Sequence, residues 1–513
     1  MLTEAFPTFV SKLSSTSLMR KFSLFLMGAM LFGVAALWIS VAPTPTPNPN
    51  PTPTPTPSGN TITLEPSVKR QTISGLLLEG GAPGGPSSQF YSDFVNSYNR
   101  YSTTLWNDEV DQGDTWFQLD IMPSIENNTP GYTAGLGNNE GLRFQQWHYC
   151  NPSCIKYEGT YKPIIPVSSS GALTNPITVN NLSGFHFERL DYNINQFLIP
   201  LKAKVETSGR TFHIEGNYTA GLPSSLHATD ARYYARFALA VYQHMRDTFG
   251  FVPERWQIIN EPDNLGGPFN PGGMSNGTYM GQVIKATGDL LAANGFHPMF
   301  VTPGVMCMGN AVSYLNDTIA VPGALPYIFA VSFHRYCDNS MLAKVASAAA
   351  AHGLKTEMTE HANGTADELL TDLIVGNVVL WEQFGGDGLN FDPYCSRNCN
   401  SGNGYVYKDL NGAGFRQVFH FVKQGAVRID ANGGGSGLYN STAFINPDGR
   451  YVFVTQASGS QSFTVTGLPA GTYGIEYTTS GQFNHDVADV TISSGQSVAA
   501  SIPAAGVITV YAK

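Results

Sequence analysis

Apolar and polar positions follow two rhythms along the middle of the chain. Short runs dominated by β-branched and aromatic residues read as strands. Between them, apolar residues recur three and four apart, clearest in "DARYYARFALAVYQHMRDTFG", "YMGQVIKATGDLLAANG" and "MLAKVASAAAAHG", which read as amphipathic helices. Each helical stretch ends at or beside a glycine, the residue that most readily adopts the left-handed C-capping conformation. The candidate strands are "QTISGLLLEG" near residue 75, "STTLWND" near 105, "FHIEGNY" near 215 and "RWQIINEP" near 258. They continue with "PMFVTPGV" near 301, "FAVSFHRY" near 332, "LKTEMTEH" near 357 and "NVVLWEQF" near 380. Eight strands alternating with helices predict an α/β fold, a (β/α)8 TIM barrel over residues 60–430. That span exceeds the ~250 residues typical of such barrels, so long loops must rise over the C-terminal ends of the strands. The regions from Asn107 to Phe185 and from Gly385 to Gly412 are the expected insertions. Past residue 430 the pattern becomes short alternating runs broken by Gly, Pro and Asn, which predicts an antiparallel β-sandwich domain over 431–513. It shows no exposed-tryptophan signature, and a structural buttress is the role expected for it.

The N-terminal part carries a different pattern. Lys12, Arg20 and Lys21 precede an uninterrupted apolar run from Phe22 to Ala42. Such a run spans a hydrocarbon core as a helix, and the basic residues before it place the N-terminus inside and export the rest of the chain. Residues 1–42 are therefore read as a signal or membrane anchor, with an uncleaved anchor favoured. Residues 43–59 are a Pro/Thr-rich linker, whose alternating prolines favour extended polyproline II and make a semi-rigid stalk. The expected location is extracellular, secreted or held at the outer face of the membrane.

Composition agrees with export. Charged residues are 13% of the 513 and the net charge is −10, with no cluster of Lys and Arg, which excludes nucleic-acid partners. Six cysteines fit an oxidising compartment. Local pairing joins Cys150 with Cys154 and Cys395 with Cys399, leaving Cys307 and Cys337 to meet through neighbouring strand ends. The spacing of the close pairs does not suit a zinc site.

The chemistry gathers where strands end. "WQIINEPDN", Trp256 to Asn264, runs from apolar residues into Asn260, Glu261, Pro262 and Asp263. Charged groups at the end of a buried strand are costly to desolvate and need a partner or a task. Counting from QTISG, this segment closes the fourth strand and "MTEH" closes the seventh, so Glu261 and Glu360 face each other across a barrel mouth. Two facing carboxyl groups are what glycoside hydrolysis requires. Glu357 is the alternative to Glu360; strand alternation puts it on the other face and deeper below the mouth.

On these residues the chain resembles the glycoside hydrolases of clan A, with the greatest similarity to family 30, over everything after the stalk. The resemblance implies Glu261 as acid/base, Asn260 as a hydrogen-bond partner of the sugar 2-hydroxyl, and Glu360 as nucleophile. It further implies His334 and Tyr336, in "SFHRY", beside the nucleophile, and Trp381, in "VVLWEQF", as the floor of the sugar site. The reaction so implied is retaining hydrolysis of a β-glycoside in a polysaccharide or oligosaccharide; that chemistry needs no metal or organic cofactor, and the protein is expected to act as a monomer. The charge of Glu360 is expected to raise the pKa of Glu261. The competing readings are a non-catalytic polysaccharide-binding protein on a degenerate barrel and a transglycosylase with the same residues.

Overall fold

The computed structural model describes residues 60–80, 106–121, 187, 190–191, 194–218, 231–264, 276–362, 364–383, 389–392, 405–408 and 410–513. The apolar segment 22–42, the linker and cysteines 150, 154, 395 and 399 lie outside these residues. Among the described residues no helix is long and apolar enough to cross a membrane.

Strand β1 (Thr61–Thr72) comes first, followed by eight parallel strands that close a barrel: β2 (Gly75–Gly80), β3 (Asp114–Ile121), β4 (His213–Tyr218), β5 (Arg255–Gln257), β6 (Met299–Cys307), β7 (Ile328–Cys337), β8 (Lys355–Glu360) and β9 (Val378–Gln383). Helices α1 (Ile199–Thr207), α2 (Ala231–Phe249), α3 (Asn276–Ala293), α4 (Ala311–Ile319), α5 (Leu342–Ala351) and α6 (Ala366–Val375) connect them. After the barrel come the hairpin of β10 (Leu389–Asp392) and β11 (Tyr405–Lys408), then α7 (Leu410–Phe419). The three helices read from the sequence end as expected, at Gly250, Gly295 and Gly353, all with φ between 71° and 81°.

Two sequence expectations change. The described part of STTLWND is helical, over 106–112, and the second barrel strand is β3, inside the stretch expected to be an insertion. The reason lies in which faces are apolar. Phe117, Leu119 and Ile121 pack outward into the helix layer, whereas Gln118 points into the lumen and breaks the apolar run that marks a buried strand. The second change concerns residues 61–72, expected in the barrel. They form β1, which pairs antiparallel with β12 (Val427–Gly433) and parallel with β15 (Gln461–Thr466), and its Ile62 and Leu64 enter the core of the β domain.

That domain adds β13 (Leu438–Ile445), β14 (Tyr451–Ala457), β16 (Gly471–Thr479), β17 (Gln482–Ile492), β18 (Val498–Ile502) and β19 (Gly506–Ala512). Its strand order is β17-β16-β19-β14-β13-β12-β1-β15-β18. Residues from both ends of that order, Tyr473 and Ile475 on β16 with Val498 and Ile502 on β18, share one apolar core, so the sheet folds over into a sandwich. It is fixed to the barrel by polar and aromatic contacts. Gln417 on α7 donates to Glu476 on β16 at 2.7 Å, Gln71 donates to the Leu373 carbonyl at 2.7 Å, and Phe421 stacks on Tyr511 with centroids 4.1 Å apart.

Candidate active site

Alternation along the barrel strands decides what reaches the lumen. On β5, Trp256 faces the helices while Arg255 and Gln257 face inward; on β8, Met358 faces outward while Glu357 and Thr359 face inward. Strict alternation would turn Glu360 outward with Met358. A register irregularity against β7, between the Phe333–Met358 and His334–Glu360 pairs, re-aims it to the mouth. Glu261 arrives differently, on the turn after β5 with a left-handed backbone, φ 45°.

The two carboxyl groups meet around His334. Glu261, His334 and Glu360 each place one oxygen or nitrogen within 4.8 Å of the others. His334, fully buried at the end of β7, has its Nδ1 3.1 Å from Glu261 Oε1 and 3.9 Å from Glu360 Oε2. The Tyr336 hydroxyl donates to Glu360 Oε1 at 2.9 Å, and Asn260 Nδ2 donates to Glu360 Oε2 at 3.2 Å. Asn264 donates to Glu261 Oε2 at 2.9 Å. The fold thus brings together Asn260, Glu261, His334, Tyr336 and Glu360.

Trp381 is not among them. Leu380 and Glu382 occupy the lumen side of β9, so Trp381 points outward, fully buried. It packs on Phe415 of α7 and donates its indole N–H to Asp372 of α6 at 2.9 Å. It is a core residue between barrel and helices and cannot floor a sugar site. Glu357 is fully buried in the lumen below the mouth and pairs with Arg255, which also lies over the Trp116 and Phe329 rings.

Protonation in the site runs against expectation. Burial favours neutral Glu261, but the His334 hydrogen bond and charge, with Asn264, outweigh it and hold the carboxyl below its ordinary value. Burial disfavours the His334 cation, yet the charge of Glu360 and the bond and charge of Glu261, with Asp263, raise its pKa above 6.5. His334 therefore lies between the two carboxyl groups, where its protonated form opposes the repulsion expected to raise Glu261. Among the described residues these three are the acidic and imidazole groups whose oxygen or nitrogen atoms lie within 4.8 Å of one another. Burial and the Glu360 charge push the Tyr336 phenol up, so it remains a donor.

Sequence reasoning missed the amide relay beneath the site. Gln118 Nε2 donates to Glu382 at 3.0 Å, and Asn217 Nδ2 donates to Gln118 at 3.0 Å and to Asn260 Oδ1 at 3.2 Å. Gln257 Nε2 donates to Asn217 at 2.9 Å and to Asn260 Oδ1 at 3.2 Å, while accepting from Thr359 at 3.1 Å. With its oxygen engaged twice, Asn260 turns its N–H2 toward Glu360. Polar residues two apart on strands of a barrel are the signal that could have found this lining.

Residues 425–510 match the family model described as the glycosyl hydrolase family 30 beta sandwich domain. None of the curated proteins matches the chain. A family 30 endoxylanase from Clostridium papyrosolvens C71 shares the fold with a TM-score of 0.55 at 15% identity, over 88% of this chain and 100% of its own. The catalytic domain of family 30 xylanase C from Talaromyces cellulolyticus gives 0.57 at 15% identity, covering 88% and 100%. An endo-β-1,6-glucanase gives 0.56 at 16% identity, covering 88% and 95%. The chain therefore has the barrel-and-sandwich fold of the family 30 glycoside hydrolases, in line with the resemblance seen in its sequence.

Proposed function

We propose that this protein is an exported, retaining β-glycoside hydrolase that cleaves a polysaccharide or oligosaccharide by double displacement. The observation that carries the reading is the approach of Glu261 and Glu360 to within 4.8 Å at the barrel mouth. Single oxygens this close support the ~5–5.5 Å carboxyl spacing of retaining enzymes over the ~6.5–9.5 Å that inverting enzymes leave for a water. Glu360, steadied by donors from Asn260 and Tyr336, attacks the anomeric carbon, and the bond to the leaving oxygen breaks as Glu261 protonates it. Glu261 is held below its ordinary pKa in the free site, and His334, 3.1 Å away and raised above its own, is the group placed to hand it the proton it delivers. In the second step Glu261 takes a proton from water, whose oxygen attacks the anomeric carbon and releases Glu360. Export is supported by the apolar segment, the stalk and the Cys307–Cys337 disulfide.

Digestion of a polysaccharide array, with xylan and β-1,6-glucan included, tests the activity and identifies the sugar. Release of products whose first-formed anomer is β is expected; no release from any β-glycan or aryl β-glycoside would overturn the reading. The roles separate with azide and an activated aryl glycoside. Glu261→Ala is expected to accumulate glycosyl-enzyme and yield a β-glycosyl azide, and Glu360→Ala an α-glycosyl azide. The same anomer from both would show the roles to be misassigned.

A further inference from the structure

Glu261 holds a left-handed backbone although it is not glycine and stands before Pro262, a position that favours extended backbone. Such a conformation persists only where its surroundings over-determine it. Part of the constraint is local. The Glu261 N–H donates to the Gly304 carbonyl at 2.9 Å, and the Asn264 N–H closes the turn on the Glu261 carbonyl at 3.0 Å.

The other part comes from Asp263. Its carboxylate accepts from the backbone N–H of Met306 at 2.8 Å, from that of Cys307 at 3.0 Å and from the Asn310 side-chain amide at 2.9 Å. Every one of these donors belongs to the end of β6 or the turn after it. Ionised acceptors make the stronger hydrogen bonds, and backbone donors within a strand cannot move to follow a displaced partner. Asp263 therefore fastens the loop of the fourth barrel strand to the fifth. The fastening then continues covalently. Cys307, whose N–H is one of the donors, is joined to Cys337 with Cα atoms 4.7 Å apart, and the strand ending at Cys337 carries His334 and Tyr336.

We propose that Asp263 is a positioning residue for Glu261. By pinning the 261–264 turn to the backbone of β6 it holds the Glu261 carboxyl against His334 and opposite Glu360, and the disulfide keeps β7 in register with that clamp. The consequence for turnover rests on the glycosidase reading; the consequence for geometry does not. Without the carboxylate, Glu261 relaxes toward the extended backbone that its proline favours, and its carboxyl withdraws from the leaving oxygen. Glu360 and its donors from Asn260 and Tyr336 stay where they are. Proton delivery then suffers while nucleophilic attack does not.

The test uses Asp263→Ala and Asp263→Asn in the full chain, with phenyl and 2,4-dinitrophenyl β-glycosides of the sugar that the unaltered enzyme releases. The phenyl glycoside needs a proton on its leaving group and the dinitrophenyl one does not. For Asp263→Ala, kcat/KM is expected to fall ~100-fold on the phenyl substrate, the size of a general-acid contribution, and less than about threefold on the dinitrophenyl one. Asp263→Asn, which keeps one acceptor oxygen, is expected to lie between, and it serves as the test if the alanine variant does not fold. The double variant Cys307→Ala, Cys337→Ala is expected to show the same split at smaller size. Equal losses on both substrates, or no loss on either, would overturn the proposal. A crystal structure of the Asp263 variant provides a readout free of activity: Glu261 is expected to leave the left-handed region and lose His334. An unmoved Glu261 would overturn the clamp even if the enzyme is active. An unaltered enzyme inert toward every glycoside would overturn the glycosidase reading instead.

Discussion

His334 shows how much one residue sets in this site. Fully buried and 3.1 Å from Glu261, it has its pKa raised because two carboxylates outweigh the cost of desolvating its cation. The pair His334–Glu261 keeps one proton until the pH passes the raised pKa of the imidazole, and hydrolysis should decline over that range as the proton is lost. In His334→Asn the reservoir is gone, and the alkaline limb of the pH–rate profile reports the Glu261 carboxyl alone. That limb is expected to move to lower pH, measured as kcat/KM on a phenyl glycoside. A limb that stays in place would remove the imidazole from the proton path.

At the scale of elements, β9 illustrates how a period of two assigns duties. Glu382 faces the lumen and anchors the amide relay, while Trp381 beside it ties β9 to α6 and α7. Asp372, the partner of Trp381, is buried on α6 and also pairs with Arg335 of β7, so one carboxylate joins two strands to a helix. Burial raises Asp372 to about 6 even against these partners. Trp381→Phe removes one donor and leaves a buried carboxylate oxygen unpaired, which costs about 1–3 kcal/mol. A lower unfolding midpoint in urea with KM unchanged is the expected outcome. A raised KM at unchanged stability would return Trp381 to the sugar site.

Across the whole molecule, the lumen is unusual in carrying charge under the mouth, where such barrels are commonly filled by branched apolar residues. Glu215, Arg255, Glu357 and Glu382 are all buried there, three carboxyls to one guanidinium among these four. Burial and the charge of Glu357 push Glu215 up to about 8, against the opposing pull of Arg255 and Gln118. Between its unfolded value of 4.5 and about 8 the folded chain holds a proton there that the unfolded chain has lost. Stability from this group is therefore complete below 4.5 and falls as pH rises through that window. Glu215→Gln mimics the protonated acid at every pH. Thermal unfolding scans at pH 5 and pH 8 are expected to differ less for this variant than for the unaltered protein. An identical pH dependence would mean that Glu215 is ionised in the folded state.

The sequence by itself determined the architecture and most of the mouth. Helical periodicity, glycine caps and strand-like runs located seven of the eight barrel strands and the terminal sandwich, because burying an apolar face imposes a period that local pattern records. The Asn-Glu and Glu placed at the ends of β5 and β8 singled out Asn260, Glu261 and Glu360, since charged groups at buried strand ends are rare without a task. Only the tertiary structure decided the remainder. β3 stayed hidden because Gln118 on its lumen face breaks the apolar run, and β1 because its partners, β12 and β15, lie more than three hundred residues along the chain. Trp381 was assigned to the wrong face because its direction depends on where β9 starts its alternation, which pairing with β2 and β8 fixes. The raised pKa of His334 and the grip of Asp263 on β6 belong to no local pattern at all. They exist because closing the barrel brings strands four, five, six and seven to one rim, where charges distant in sequence come within a few ångströms of one another.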